Sequence, residues 1–140
     1  MVKILADRLA EAFAECLHEQ LRREYWGYAP DEKLSIEDIL QERYQGIRPA
    51  PGYPPCPNHE DKKLLFDLLE PEGKAGIKLT ESYMMTPAAS VSAFCLSHPQ
   101  SKYFGVGTLQ RDQVQEWAQR KGITVETAER WLASKLAYTQ

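Results

Sequence analysis

The residues best suited to bind a ligand lie in one proline-rich segment, residues 46–57, which holds five of the nine prolines. Because proline fixes φ and has no N–H, this segment is predicted to be a stiff, extended loop. Arg48 can bind a carboxylate through two parallel hydrogen bonds, and Gly52 lets the backbone approach a flat ligand closely. Tyr53 and the pair Tyr103–Phe104 offer aromatic faces to a ring or a cation. A purely structural role, with the arginine on loop carbonyls and the tyrosines on proline, carries similar weight on these grounds alone.

Two Cys-x-x-His pairs could in principle bind zinc. Cys56 with His59 and Cys95 with His98 supply four ligands of the right type. The second pair falls on a predicted strand, where residues three apart point to opposite faces, so chelation would require a bend. We therefore expect no metal site, and interpret these residues as small buried thiols and as capping or surface histidines.

Other catalytic patterns are missing from the sequence. There is no G-x-S-x-G motif and no glycine-rich loop of the phosphate-binding type before a helix. His18 stands among charged residues of a predicted helix and is expected to be solvated. Without a recognisable nucleophile, base and orienting group, an independent hydrolase is disfavoured.

Composition points to an ordinary globular chain. Its 140 residues are enough for one domain, and we predict a single domain over residues 1–140. A formal charge of -3 and a pI near 5.6 argue against a nucleic-acid partner. No apolar run is long enough to span a membrane, and the N-terminus lacks the pattern of a signal peptide. Three widely spaced cysteines do not suggest a disulfide framework, so a reducing compartment, the cytoplasm, is expected.

The elements that must position these residues are helical at both ends of the chain. Residues 2–25 read as one amphipathic helix whose apolar stripe recurs every three or four positions: Leu5, Leu9, Phe13, Cys16, Leu17 and Leu21. Ser35 is predicted to cap a short second helix, with Asp38 completing the cap. Asn58 is predicted to cap a third, whose buried face would be Leu64, Leu65, Leu68 and Leu69. Two further helices close the chain, one opened by a capping box of Asp112 and Gln115 and one capped by Thr124.

Between these helices the pattern changes to strands. Segments 77–83, 90–97 and 103–109 are predicted strands, and their short connections favour antiparallel pairing. The predicted fold class is therefore α+β, with a long N-terminal helix and a small antiparallel sheet of about three strands packed with helices.

Several segments together resemble one known family, in order and from the first residue to the last. They are MVKILADRLAEAFAE (1–15), GIRPAPGYPP (46–55), CPNH (56–59), LTES (79–82), PAASVS (87–92), SKYFGV (101–106), DQV (112–114) and ERWL (129–132). The family is the C-terminal activation, or reactivation, domain of cobalamin-dependent methionine synthase, and the chain resembles the C-terminal half of that domain.

The resemblance implies binding of S-adenosylmethionine during reductive reactivation. In the family, flavodoxin or an equivalent reductase supplies an electron to oxidised cobalamin, and the activation domain presents the methyl donor. Cobalamin is bound by a partner domain, so this chain alone is expected not to be catalytic. Carried over by motif, Arg48 would bind the ligand's carboxylate and Glu11 would lie near its amino group. Ala50, Gly52 and Tyr53 would line the adenosine side, and Tyr103 with Phe104 would close the pocket.

The chain departs from the family pattern in length, because family domains are roughly twice as long. The upstream half, which contributes an aspartate to the ligand site, has no counterpart here. The sequence thus resembles a truncated chain or a short stand-alone relative, and an uncovered apolar face would favour self-association. An alternative function is that of an interaction module that has lost the ligand.

Overall fold

Helix α1 (Val2–Gln20) is the longest element of the computed structural model, which describes residues 1–139. It continues into one π-helical turn, Leu21–Tyr25, in which the N–H groups of both Trp26 and Gly27 donate to the carbonyl of Leu21. Gly27 ends this turn with a φ of +69°, a conformation that costs glycine little. The predicted helix over 2–25 is confirmed, with its last turn widened.

The buried face of α1 is not its apolar stripe. Ala14, His18 and Arg22 are buried at steps of four residues, whereas Leu9 and Phe13 are 70% and 67% exposed. Leu9 and His18 are two and a half helical turns apart and therefore lie on opposite sides of the helix. The helix thus packs through a polar face and presents its apolar stripe to solvent.

The remaining regular elements are short. They are α2 (Ile36–Leu40), α3 (Asp61–Leu69), α4 (Pro71–Ala75), β1 (Lys78–Leu79), β2 (Met85–Thr86), α5 (Arg111–Lys121), α6 (Val125–Trp131) and a 3₁₀ turn, Ala133–Lys135. The described chain is therefore mostly helical. Among residues 1–139, no helix is both long enough and apolar enough to cross a membrane.

The sheet has two strands, so the prediction of about three strands was wrong. β1 and β2 pair antiparallel, with Lys78 opposite Thr86 and Leu79 opposite Met85. They correspond to part of the predicted segment 77–83 and to a segment that was not predicted as a strand.

Segments 90–97 and 103–109 are extended but do not form strands. They run beside the proline loop, where Phe94 donates to the carbonyl of Pro49 and Val106 to that of Pro54. Isolated bridges join Ile47 to Leu96 and, at the end of the second segment, Leu109 to Leu136. Prolines accept such hydrogen bonds but cannot return them, so no continuous ladder can form along this loop.

The apolar core lies between α5 and α6. Val114, Ala118 and Ala128 are fully buried there. The rings of Trp117 and Trp131 meet edge to face with centroids 6.3 Å apart. Core packing in this region holds the C-terminal third of the chain together.

Three local predictions need correction. The N-terminal cap of α5 involves Gln113, whose side chain accepts from the N–H of Gln110, and not Asp112 with Gln115. Asn58 accepts from the N–H of Glu60, but α3 begins only after it, at Asp61. Of the four leucines predicted to form the buried face of α3, only Leu65 is buried, and Lys62 is the other buried residue of this helix. The other predicted core positions are exposed, because this helix lies at the surface: Leu64, Leu68 and Leu69. The caps at Ser35 and Thr124 are confirmed.

Candidate functional site

An open cavity of about 440 Å³ lies between α1, the proline loop and the extended segments that follow β2. Its wall combines polar, charged and aromatic side chains. They include Glu11, Glu42, Tyr44, Arg48, Ala50, Tyr53, Lys62, Ser90, Ser92 and Tyr103. Its size is in the range of cavities that hold small organic ligands.

Arg48 is the best-anchored cation of the cavity. Its Nη2 donates to Oε2 of Glu15 at 2.9 Å and its Nη1 to the carbonyl oxygen of Ala14 at 3.2 Å. Its side chain is 19% exposed. Burial lowers the pKa of Arg48, but the hydrogen bond and charge of Glu15 outweigh this and raise it. The guanidinium is therefore charged, oriented and adjacent to open space.

Glu11 lies one helical turn before Glu15 and lines the same cavity. Glu42 is a second carboxylate in the wall. The cavity thus offers both a guanidinium and carboxylates, which is the charge pattern that would complement an amino acid with a free carboxylate and a free ammonium group.

Three tyrosines border the cavity. Tyr53 and Tyr103 are about half exposed and stand at the rim, where aromatic faces can stack on a ring. Burial raises the pKa of Tyr103 above its usual value. Tyr44 lies deeper, and burial, followed by the charge of Glu15, raises its pKa to about 12. The hydroxyl groups of Tyr44 and Tyr103 are therefore neutral near pH 7.

A buried polar cluster supports the site from behind. His18 is 1% exposed, and its ring meets that of Tyr44 edge to face at 5.0 Å. Burial, with the charges of Arg22 and Arg48, lowers the pKa of His18 to about 4. Arg22 is fully buried and pairs with Glu32, its Nε donating to both carboxylate oxygens at 2.9 and 3.0 Å. The expectation that His18 is solvated was wrong.

The proline loop owes its shape to short-range hydrogen bonds. The N–H of Gly52 donates to the carbonyl of Cys56 at 2.7 Å, and that of Cys56 donates to the carbonyl of Tyr53 at 2.9 Å. Gly52 has a φ of +95°, and a Cβ there would collide with the ring of His59. His59 is in turn bound through Nδ1 to Nζ of Lys62 at 2.9 Å. Glycine is therefore required at position 52 for two independent reasons.

The structure brings most of the proposed ligand-binding residues to one cavity. Glu11, Arg48, Ala50, Tyr53 and Tyr103 all line it. Gly52 shapes the loop without lining the wall, and Phe104 is 66% exposed and lies outside the lining. Sequence reasoning missed Tyr44, Glu42 and Lys62, which stand outside the proline motif. The closeness of Tyr44 to Gly46 along the chain was the only available signal for it.

The Cys-x-x-His pairs have other contacts. The Sγ of Cys56 lies 3.7 Å from a carboxylate oxygen of Asp61, and burial raises the pKa of this thiol to about 11. Burial also raises the pKa of Cys95. Within residues 1–139, no three His, Cys, Asp or Glu side chains converge in a way that could hold a metal ion. Both half-buried thiols are therefore protonated at neutral pH, which is unfavourable for nucleophilic or ligating roles.

The long helix α1, the proline-rich loop and the cavity between them characterise this domain. The chain belongs to the family described as the activation domain of vitamin B12-dependent methionine synthase, whose model matches residues 1–122. This confirms the resemblance found from the motifs.

One solved structure that is similar to this chain is the crystal structure of the MetH reactivation domain bound to AdoHcy. The two share 60% sequence identity, with a TM-score of 0.94 over 99% of this chain. The match spans 43% of the length of that other chain. The described chain thus has the fold of part of a reactivation domain.

Proposed function

We propose that this chain binds S-adenosylmethionine in the cavity beside Arg48. The proposal rests on one observation. The oriented guanidinium of Arg48 and the carboxylate of Glu11 line the same cavity, and tyrosines stand at its rim. An amino-acid group would place its carboxylate on Arg48 and its ammonium near Glu11, with Tyr53 and Tyr103 beside the adenine. AdoHcy, the demethylated form of this compound, is bound by the related reactivation domain.

The other residues proposed for the site would contribute less to ligand binding. Ala50 and Gly52 would contribute backbone atoms and shape on the adenosine side, and Phe104 would act only if it moves toward the ligand. S-adenosylmethionine, when bound, supplies a sulfonium methyl group. The chain's own task would be to hold and orient that ligand, an effect of proximity that requires no nucleophile or base from the domain.

We further propose that the binding serves reductive reactivation of a cobalamin-dependent methionine synthase in the cytoplasm. The partners would be the cobalamin-binding domain of that enzyme and flavodoxin or an equivalent reductase. Cobalamin itself would be held by the partner domain. Family membership supports this role.

Isothermal titration with AdoHcy and with S-adenosylmethionine tests the binding proposal. We expect dissociation constants in the micromolar range, about -8 kcal/mol, and a loss of roughly ten- to a hundredfold for Arg48→Ala, which removes a hydrogen-bonded charge. Arg120→Ala is the matched control, because Arg120 is an exposed arginine on α5 paired only with Glu116. Equal binding by all three proteins would contradict the site. Absence of binding by the unmodified chain would favour the alternative, an interaction module without ligand.

A further inference from the structure

Helix α1 holds the guanidinium of Arg48 through two contacts. One is the carbonyl oxygen of Ala14 and the other is the carboxylate of Glu15. Arg48 lines the cavity, whereas Ala14 and Glu15 do not. The groups that orient the guanidinium are therefore not part of the cavity wall.

We propose that Glu15 is a positioning residue for ligand binding, acting through Arg48. This inference rests on the proposed function. A guanidinium has five N–H donors, and α1 occupies only two of them. The remaining N–H groups of the Arg48 guanidinium, whose orientation is already fixed, can bind a carboxylate through two parallel hydrogen bonds. Fixing the arginine beforehand lowers the entropic cost of ordering it when the ligand arrives.

Glu15 and Arg48 hold each other's side chains in place. Oε2 of Glu15 is bound to Arg48, while its buried Oε1 has no hydrogen-bond partner among the described residues. The Glu15 carboxylate is therefore held chiefly by Arg48. It is also distinct from Glu11, which lies one turn earlier on the same helix and does line the cavity. We assign Glu11 to the ligand's ammonium group and Glu15 to the orientation of Arg48.

The opposite role for Glu15 is competition with the ligand's carboxylate for Nη2 of Arg48. Competition predicts tighter binding when Glu15 is removed, whereas positioning predicts weaker binding. The parallel contact from the carbonyl of Ala14 favours positioning, since a backbone group fixes the guanidinium without adding a competing charge. The sign of the change in affinity therefore separates the two roles.

A double-mutant cycle with two ligands tests the assignment. AdoHcy carries the carboxylate, and 5′-methylthioadenosine lacks both the carboxylate and the amino group. We expect Glu15→Ala to weaken AdoHcy binding roughly tenfold, the effect of losing one hydrogen bond to a charged group, and to change methylthioadenosine binding less than about twofold. In the Arg48→Ala background, Glu15→Ala should have no further effect, whereas Glu11→Ala should add its own loss.

Three outcomes would overturn the inference: an equal loss for both ligands, tighter binding of AdoHcy, or an additive loss in the double variant. If Glu15→Ala fails to fold, Glu15→Gln replaces it. The same changes in binding affinity are then expected, with smaller magnitude. Far-ultraviolet circular dichroism and thermal unfolding report whether each variant is folded.

A ligand-free measurement separates failure of this inference from failure of the proposed function. In the NMR spectrum of the unliganded chain, exchange of the Arg48 Nη2 protons with water should be slow, because Nη2 donates to Glu15, and should accelerate in Glu15→Ala. Glu19→Ala is the matched control, because Glu19 pairs with exposed Arg23 on the same helix. Unchanged exchange in Glu15→Ala would overturn the positioning role even if no ligand bound. If the unmodified chain does not bind AdoHcy, the proposed function fails instead, and faster exchange in the variant would still support Glu15 as the residue that fixes Arg48.

Discussion

The guanidinium carbon of Arg22 lies 4.1 Å from the centre of the Tyr44 ring. This contact joins the π-helical turn that follows α1 to the segment that leads into the proline loop. Because Arg22 is fully buried, the interaction takes place away from water, where attraction between a cation and an aromatic face is strongest. Tyr44 thereby couples the helix that orients Arg48 to the loop that carries it.

We predict that Tyr44→Leu lowers the free energy of unfolding by about 2 kcal/mol, since it removes the cation–π contact and the edge-to-face contact with His18. Tyr44→Phe keeps both rings in contact and should cost less than about 0.5 kcal/mol. Urea denaturation followed by circular dichroism measures both values. Equal losses in the two variants would show that the hydroxyl, and not the ring face, matters.

Stability should fall on acidification through His18. Its pKa is about 4 in the folded protein, against an ordinary value of 6.5, so between these values the unfolded chain binds the extra proton and stability rises with pH. Its contribution is fully present above pH 6.5 and declines as the pH falls toward 4. Between pH 7 and pH 5, the effect is on the order of 2 kcal/mol.

Comparing urea denaturation at these two pH values in the unmodified chain and in His18→Leu isolates this contribution. The difference between pH 7 and pH 5 should be smaller in the variant by about 2 kcal/mol. Identical pH dependence in the two proteins would mean that His18 is not the group responsible.

Gly52→Ala should be more harmful than glycine replacements elsewhere. At position 52 the new Cβ meets both an unfavourable φ and the His59 ring, whereas at Gly122 the φ is +69° and nothing lies within 4 Å. We expect Gly122→Ala to cost about 1 kcal/mol and Gly52→Ala clearly more, together with weaker AdoHcy binding. Thermal unfolding and titration of the two variants provide the comparison. Equal costs would contradict the close approach of His59 to the loop.

The exposed stripe of α1 should tolerate polar residues. We predict that Leu9→Gln combined with Phe13→Gln changes the free energy of unfolding by less than about 1 kcal/mol, because neither side chain is buried. Leu65→Ala, at a buried position, should cost at least about 2 kcal/mol. If the stripe mediates self-association, the double variant should also sediment as a smaller species than the unmodified chain. A large loss of stability in the double variant would show that the stripe is covered.

Elements defined by neighbouring residues were predictable from the sequence. Examples are the extent of α1 and the caps at Ser35 and Thr124, since helix periodicity and capping depend on residues within one or two turns. The direction in which α1 packs was not predictable from its stripe, because the stripe indicates an apolar face and not which face the rest of this chain covers. The buried face instead uses His18 and Arg22, whose burial is possible only with partners distant in sequence.

For the strands and the cavity too, features set by neighbouring residues were predictable, and features set by distant residues were not. An extended segment becomes a strand only if its neighbour can return hydrogen bonds, and segment 90–97 and Val106 of segment 103–109 lie beside a loop rich in proline. For the site, the motif around Arg48 was visible in the sequence. Lys62 reaches the cavity through tertiary packing alone, which leaves no pattern along the chain, and Tyr44 was marked only by its closeness to Gly46.

The cavity wall draws on stretches of sequence that begin at Glu11 and extend to Tyr103. No short piece of the chain contains a local version of it, so a partly unfolded molecule that loses one wall loses the whole cavity. A ligand that binds there would stabilise only the intact arrangement and would raise the midpoint of thermal unfolding as its concentration increases. Occupancy of the cavity would thus serve as a direct readout of whether distant parts of the chain have come together correctly.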